Sequence, residues 1–153
     1  MKIIKLNEDN VDLMNSLLQV FGEAFDDIPR YTHNRPTEQY LKDLLRGESF
    51  IALVAMSEDV VCGGIAAYDL KKFEQSRSEI YIYDLAVALQ YRRQGVATTL
   101  IQSLKDIART RGADVIFVQA DTDIEDEPAI ALYKKLGTMA EVLHFDIAVS
   151  PET

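Results

Sequence analysis

Apolar residues recur along this chain with two distinct spacings, and each spacing predicts its own kind of element. Where they return every three or four residues, they share one face of a helix, and that face packs against a core. Polar residues fill the positions between them. Four segments have this spacing and are predicted to be helices: residues 10–25, 37–47, 95–112 and 128–136.

Continuous or alternating runs of β-branched, aromatic and other apolar residues predict strands between these helices. The run at 115–118 is apolar throughout, which is typical of a strand buried on both faces. The predicted strands are residues 1–6, 50–56, 60–68, 80–87, 115–118 and 139–149, the last being one strand or a strand pair. This order predicts a single α/β (α+β) domain over residues 1–153, with a mixed central sheet and helices on both of its faces.

The strand at 80–87 leads through a polar turn into the helix that begins at Gly95. The first backbone N–H groups of a helix have no partner within it, and the helix dipole is positive at that end. A glycine there lets a bulky anion approach the backbone, and Arg92 and Arg93 add charge that suits phosphate. The turn is therefore predicted to bind an anion. The alternative is a solvated strand-to-helix turn.

The residues of this turn, Arg92, Arg93, Gln94, Gly95, Val96 and Ala97, match the Arg/Gln-x-x-Gly-x-Gly/Ala signature of the GNAT superfamily of N-acetyltransferases. The chain resembles that family over nearly its whole length, because the order of elements agrees as well. The resemblance implies the GNAT acyltransferase fold, with six to seven strands and about four helices, and acetyl-coenzyme A as the cofactor. In the family this loop binds the pyrophosphate of the coenzyme. The end of the preceding strand, here Leu85, Ala86 and Val87, pairs its free backbone groups with the pantetheine arm.

Acetyl transfer to an amine needs a group that removes a proton from the attacking ammonium. Asp84 is the first candidate, because it lies among the apolar residues of a strand, where an unpaired charge is expensive to bury. The alternative is that it pairs with an arginine or caps a bulge. Glu79, on the same strand, is the second candidate for this catalytic role.

The departing thiolate needs a proton or an equivalent charge. Residues 132–137 are similar to the Leu-Tyr-x-x-Leu-Gly segment of GNAT enzymes, which often place this tyrosine hydroxyl near the coenzyme sulfur. The resemblance therefore implies that Tyr133 is a catalytic general acid. The alternative is a core aromatic residue on one face of the predicted helix.

Several segments resemble a narrower group, the aminoglycoside 3-N-acetyltransferases of GNAT fold, also called gentamicin acetyltransferases. These segments are residues 50–53, 73–75, 78–87, 118–121 and 144–147. The resemblance implies direct transfer of an acetyl group to the 3-amino group of the 2-deoxystreptamine ring, which confers antibiotic resistance. One departure is the loop at 121–127, which is longer and more acidic than the short Asp-rich loop of that group and bears on the substrate range.

The balance of charges favours a cationic small molecule as the partner. Asp and Glu outnumber Lys and Arg by 25 to 16, and the net charge of −9 argues against nucleic acid and suits a polycation such as an aminoglycoside. Acids in the loops at 26–36 and 121–127 could meet such a substrate; the alternatives are a plain connector and a solvated acidic loop. The candidate substrate-binding residues are Asp26, Asp27, Tyr31, Asp121, Asp123 and Asp146.

Other features of the sequence bear on the cellular location of the protein and on disulfide and metal sites. No apolar run reaches membrane-spanning length, and the N-terminus lacks the apolar region of a signal peptide, so a cytoplasmic protein without a membrane partner is expected. One cysteine, Cys62, excludes an intramolecular disulfide and a cysteine-cluster zinc site, and His33 and His144 are too scattered for a metal site. A homodimer is a candidate assembly.

Two other functions stay open. One is a polyamine or protein-amine N-acetyltransferase on the same scaffold. The other is a protein without turnover, either an acyl-coenzyme A sensor or a polycation-binding protein. An enzyme needs both the coenzyme and turnover, whereas a sequestering protein would bind an aminoglycoside without acetyl-coenzyme A.

Overall fold

One five-stranded sheet forms the centre of the N-terminal part of the protein in the computed structural model, which describes residues 1–150. The strands, in their order across the sheet, are β1 (Lys2–Lys5), β2 (Phe50–Ser57), β3 (Val60–Lys71), β4 (Ser78–Val87) and β5 (Ala113–Val118). The first four are antiparallel neighbours, whereas β5 runs parallel to β4. A parallel pair needs a crossover connection, and a helix supplies it here.

Within residues 1–150, four α-helices lie where the hydrophobic spacing predicts them: α1 (Val11–Ala24), α2 (Glu38–Arg46), α3 (Val96–Arg111) and α4 (Glu127–Leu136). A five-residue π-helical turn, Pro29–His33, and two 3-10 turns, Leu89–Tyr91 and Ile124–Asp126, fill the connections. Gly95 and Gly112 flank α3 with φ angles of 79° and 76°, in the left-handed region that favours glycine. These two glycines set the ends of the helix, as the sequence predicts.

The chain divides into two compact units, residues 1–119 and the residues from Ala120 onward. The first unit contains the whole sheet with α1, α2 and α3, and the second contains α4. The single domain predicted over residues 1–153 stays a prediction.

Helices cover both faces of the sheet in the first unit. Neighbouring residues of a strand point to opposite faces, and in β2 the side chains of Phe50 and Val54 belong to a core cluster with α1 and α2. Leu53 is equally buried but lies outside that cluster, as do Leu100 and Leu104 of α3. Because α3 contacts β2, β3, β4 and β5, it covers the second face.

The prediction that the run at 115–118 is buried on both faces is wrong. Val115 is 45% exposed, and Ile116, Phe117 and Val118 are only partly buried. β5 lies at the edge of the sheet, and among the helices of residues 1–119 it packs mainly against α3, which covers one face. An apolar run shows that a strand is hydrophobic, but it does not show where the strand lies across the sheet.

The strand or strand pair predicted at 139–149 is absent as well. Residues 137–150 contain no strand, so the sheet described over residues 1–150 has five strands and not six to seven. Leu143, Phe145 and Ile147 in this segment are 84%, 77% and 88% exposed. Alternating apolar residues favour a strand, but a strand also needs a backbone partner, and spacing along the sequence does not supply one.

Candidate functional site

The strand β4 lacks a strand partner along part of one edge. Its ladder with β5 ends at the pair Ile82 and Val118, although β4 continues to Val87. On the opposite edge, residues 85–87 pair with residues 63–65 of β3. Over the described part of the chain, the other edge of residues 85–87 therefore has no ladder partner. Free backbone groups of this kind can pair with an extended molecule that lies alongside the strand.

A bulge in β4 lies where this free edge begins. Asp84 pairs with Ala66, but the next pair joins Ile82 to Ala67, so Tyr83 is an extra residue in the strand. A bulge bends a strand and re-aims the side chain beside it. Asp84 is the residue after the bulge, and its side chain is thus brought to the start of the free edge.

Asp84 is partly buried, and its Oδ2 atom accepts a hydrogen bond of 2.9 Å from the Tyr31 hydroxyl. Burial raises the pKa of Asp84 above its ordinary value, while the Tyr31 hydrogen bond and the positive charge of Arg30 act in the opposite direction. A carboxylate with a raised pKa holds a proton more readily than an exposed carboxylate does. This property suits a general base.

The second carboxylate of β4 is in a different environment. Glu79 lies five residues before Asp84, about 16 Å away along an extended strand. Its Oε2 atom accepts a hydrogen bond of 2.7 Å from Arg77, which also binds Asp114 at 3.0 Å and Glu74 at 3.3 Å. The structure therefore brings Asp84 to the free edge and leaves Glu79 in an ion-pair network at the other end of the strand.

The turn after β4 presents the N-terminus of α3. No side chain of residues 1–150 caps this helix, so its first backbone N–H groups are open to a bound anion. Val96 is buried and anchors the first turn, whereas Arg93, Gln94 and Gly95 are exposed. A Cβ atom built on Gly95 would meet no heavy atom within 4 Å. Space for the pyrophosphate of a coenzyme is thus available in front of the helix.

Arg92 has a structural role that the spacing of the sequence did not predict. Its Nε atom donates a hydrogen bond of 3.0 Å to the carbonyl oxygen of Val87. Gln94 donates through Nε2 to the carbonyl oxygen of Gln90 at 3.3 Å. The first bond joins the turn to the last residue of β4, and the second lies within the turn itself. Ala97 lies partly buried in the first turn of α3.

The segment predicted as a substrate loop contains the π-helical turn Pro29–His33, and its residues differ in what they contact. Tyr31 reaches Asp84, as described above. Asp27 accepts a hydrogen bond of 3.3 Å from the backbone N–H of Arg30 and so stabilises its own turn. Asp26 is exposed and has a φ angle of 53°. Only Tyr31 of the three candidates is brought to the carboxylate.

Tyr133 lies on α4 in the second unit and is partly buried. Burial raises the pKa of Tyr133 to about 12, and the negative charge of Asp126 adds to the effect. The phenol therefore stays protonated at neutral pH and has a proton to donate.

The remaining substrate-binding candidates are exposed acids in the second unit. The backbone N–H of Asp121 donates to Asp126 at 2.9 Å, within the loop that also contains Asp123. Asp146 is hydrogen-bonded to Nε2 of His144 at 2.8 Å. Exposed carboxylates of this kind can attract a polycation through solvent.

A cavity of about 510 Å³ opens at the Ser78 end of β4. Its lining includes the basic residues Lys71, Lys72, Arg77 and Arg111. None of the predicted site residues lines it. A lining rich in positive charge does not suit a polycationic substrate, so this cavity is separate from the candidate site.

Two further findings hold for the described residues. No helix is long and apolar enough to cross a membrane. No group of three or more His, Cys, Asp and Glu residues could hold a metal ion. The Cys62 thiol is buried and donates to the carbonyl oxygen of Ala55 at 3.2 Å, so it is a core residue and not an exposed nucleophile.

Comparisons with proteins of known sequence show which family the chain belongs to. The model of the acetyltransferase (GNAT) family matches residues 13–138. N-acetyltransferase 8B of Rattus norvegicus is 33% identical over 102 residues, which are 66% of this chain and 43% of that protein. N-alpha-acetyltransferase 30 of Schizosaccharomyces pombe is 34% identical over 87 residues, which are 56% of this chain and 55% of that protein. The chain thus matches about half the length of these curated relatives.

Comparisons with solved structures point to the same family. The aminoglycoside acetyltransferase HMB0005, from an uncultured soil metagenomic sample, is 60% identical, with a TM-score of 0.96 over 97% of this chain and 98% of that chain. The aminoglycoside acetyltransferase meta-AAC0020, also from an uncultured soil sample and solved in complex with sisomicin, is 28% identical, with a TM-score of 0.88 over 97% and 96%. The predicted fold class and the predicted acetyl donor are confirmed: the chain belongs to the GNAT family of acetyltransferases, which take their acetyl group from acetyl-coenzyme A.

Proposed function

We propose that this chain acetylates aminoglycoside antibiotics on the 3-amino group of the 2-deoxystreptamine ring, by direct transfer from acetyl-coenzyme A, and so confers resistance to gentamicin. The observation that carries the acetyl-transfer part is Asp84, a partly buried carboxylate at the start of the free edge of β4. The substrate class is supported by the aminoglycoside acetyltransferase HMB0005, which is 60% identical over nearly the whole chain.

The coenzyme fits two features of the first unit. Residues 85–87 have no ladder partner on one edge of β4, so the backbone groups on that edge can pair with the amide groups of a pantetheine arm, apart from the Val87 carbonyl that Arg92 occupies. The N-terminus of α3 and the open space at Gly95 suit the pyrophosphate. Bound there, the coenzyme supplies an acetyl thioester. In this proposal the N–H of Val87 faces the oxygen of that thioester and stabilises the charge that develops on it.

In the proposed reaction Asp84 removes a proton from the substrate ammonium, directly or through one water molecule. A protonated amine has no free electron pair, so this proton must leave before the amine can attack. The carboxylate also places a negative charge beside the cationic substrate. Glu79 stays the second candidate, but its carboxylate is held by Arg77 at 2.7 Å, at the other end of β4.

Tyr133 is the proposed general acid, which protonates the departing thiolate. Its raised pKa keeps the hydroxyl protonated at neutral pH, and its place on α4 follows the Leu-Tyr-x-x-Leu-Gly segment of the family. The assignment rests on that resemblance together with the protonation state.

Negative charge supports a polycationic substrate. The residues from Ala120 onward include eight acids and two lysines. They therefore carry most of the net negative charge of −9. In the proposal, these acids draw an aminoglycoside towards the site, while Tyr31 lies beside the base. The acids assigned to substrate binding are Asp26, Asp27, Asp121, Asp123 and Asp146.

A second candidate function is acetylation of a protein or peptide amine. It is favoured by the 34% identity to N-alpha-acetyltransferase 30 of Schizosaccharomyces pombe. The same base and the same coenzyme edge would serve this reaction, so the difference lies in what binds beside Asp84.

The proposal includes a homodimer and a cytoplasmic location. Self-association is supported by β5, an edge strand whose backbone groups are unpaired on one side among residues 1–150 and whose residue Val115 is 45% exposed. Light scattering of the purified chain would give the mass of two copies, and a mass of one copy at micromolar concentration would contradict the dimer.

One assay separates the candidate functions. Release of free coenzyme A thiol is measured with acetyl-coenzyme A and each of four acceptors: gentamicin, kanamycin, spermidine and a peptide with a free N-terminus. We expect the highest kcat/KM with gentamicin, and NMR of the product should locate the new acetyl group on the 3-amino nitrogen. Faster turnover of the peptide would favour the second candidate. Binding of gentamicin without thiol release would contradict an enzyme.

A further inference from the structure

Tyr31 is a hydrogen-bond partner of Asp84, the candidate base. It belongs to the π-helical turn Pro29–His33, and its hydroxyl donates to Oδ2 of Asp84 across 53 residues of sequence. The other carboxyl oxygen, Oδ1, has no hydrogen-bond partner among residues 1–150. We propose that Tyr31 is a positioning residue that holds the Asp84 carboxylate so that Oδ1 faces the substrate ammonium. This inference rests on the proposed role of Asp84 as base.

The ring of Tyr31 packs against two aromatic side chains, one in α1 and one in the residue that follows α1. Its centroid lies 5.9 Å from that of Phe21 and 5.7 Å from that of Phe25, and both pairs are tilted. Phe21 is fully buried, so this cluster is anchored in the core. A tyrosine has few rotatable bonds, and a packed ring therefore fixes the position of its hydroxyl.

Close packing between α1 and the π-helical turn limits movement of Tyr31 further. A Cβ atom on Gly22 would lie 3.3 Å from the side chains of Ile28, Tyr31 and Thr32, which is tighter than an ordinary van der Waals contact. Thr32 also donates through its hydroxyl to the carbonyl oxygen of Ile28 at 2.8 Å. The turn thus packs against α1 and holds the Tyr31 hydroxyl at Asp84.

The groups around Asp84 determine its pKa, and the Tyr31 hydroxyl is one of them. The titratable groups that act on it are Tyr31 and Arg30 of the turn, with Tyr68 on β3 and Tyr81 and Tyr83 on β4 nearby. Tyr31 donates its hydrogen bond to the charged form of the carboxyl, and that bond opposes the rise in the pKa of Asp84 that burial causes. Burial and Asp84 raise the pKa of Tyr31 itself, so it stays a donor.

The test is Tyr31→Phe, which removes one hydroxyl and keeps the ring that packs against α1. The pKa of Asp84 should rise, so the ascending limb of kcat/KM against pH should move to higher pH. The value of kcat should fall by roughly 10- to 100-fold, the effect of losing a hydrogen bond to a charged group. Tyr40→Phe, at an exposed position of α2, is the matched control and should leave both quantities unchanged.

A second measurement needs no substrate and therefore separates this inference from the proposed function. The carboxyl of Asp84 is followed by ¹³C NMR during a pH titration, and its signal is assigned by its loss in Asp84→Asn. A higher midpoint in Tyr31→Phe than in the wild type supports the contact, whatever the reaction. An unchanged midpoint together with a raised KM and an unchanged kcat would make Tyr31 a substrate contact and overturn the positioning role. Circular dichroism would establish that the variant is folded.

Discussion

The two carboxylates of β4 lie on one strand, yet they have opposite environments. Glu79 is held by Arg77 within a network of acids at the Ser78 end. Asp84 lies after a bulge, partly buried, with a neutral hydroxyl as its direct partner. Burial raises the pKa of Asp84 and leaves this carboxylate able to take a proton, whereas the Glu79 carboxylate is occupied by its ion pair with Arg77. The comparison teaches that position beside the free edge and the bulge, more than residue type, distinguishes the proposed base from the other carboxylate of β4.

The largest expected effect comes from removing one charge at a time. Asp84→Asn should lower kcat and kcat/KM together by about 10²–10⁴-fold, the range for a lost general base. Glu79→Gln is the matched change on the same strand and should leave kcat within about twofold, because this side chain is bonded to Arg77 at the opposite end of β4 from Asp84. Steady-state kinetics with gentamicin measures both variants. Equal losses in the two would remove the distinction between them.

Tyr133→Phe tests the proposed proton donor for the departing thiolate. Removing the hydroxyl should lower kcat by roughly 10²-fold, towards the low end of the range for general acids, because a thiolate is a good leaving group. The affinity for acetyl-coenzyme A, measured by calorimetry, should stay the same. Wild-type turnover in this variant would leave Tyr133 as a packing residue.

The coenzyme end of β4 can be tested with two glycines that share one helix. Gly95→Val places a branched side chain where the pyrophosphate is proposed to approach, and the dissociation constant of acetyl-coenzyme A should rise by roughly tenfold or more. Gly112→Val has the same left-handed φ and an equally open surrounding at the opposite end of α3. Both variants carry similar backbone strain, so a lower coenzyme affinity in Gly95→Val than in Gly112→Val would be caused by the side chain at the proposed anion site. Equal affinities would argue against this turn as the site.

The smallest effect is expected at the Glu79 end. Arg77→Gln removes the centre of the ion-pair network and should lower the free energy of unfolding only slightly, because partly exposed ion pairs contribute little. Turnover should not change. Urea denaturation and the thiol-release assay measure the two quantities, and a loss of turnover with stability retained would give this network a role in catalysis.

The local parts of this architecture could be predicted from the sequence. Four helices lie within a few residues of the apolar repeats, and Gly95 and Gly112 flank α3 because only glycine takes a left-handed φ without strain. Asp84 is recognisable as a candidate because it is a charge within an apolar strand. These features depend on neighbours in the sequence, so the sequence is enough to find them.

The remaining features depend on contacts between distant residues. The bulge at Tyr83 is defined by its pairing with β3, and the bond from Tyr31 to Asp84 spans 53 residues. The edge position of β5 and the missing strand at 139–149 likewise depend on which backbone lies alongside. A pattern of apolar residues favours an extended strand, but it does not specify a partner.

The most direct test of Asp84 as the base is the pH dependence of kcat/KM for gentamicin in the wild type and in Asp84→Asn. Below its pKa the carboxyl is protonated and cannot accept the proton of the ammonium, so the rate should rise as the pH passes through that pKa. Because burial raises the pKa of Asp84, this limb should lie above the range of an exposed aspartate. In Asp84→Asn the limb should flatten or move, with kcat strongly reduced. An unchanged kcat and an unchanged profile would contradict the assignment and transfer the role to Glu79 or to bulk water.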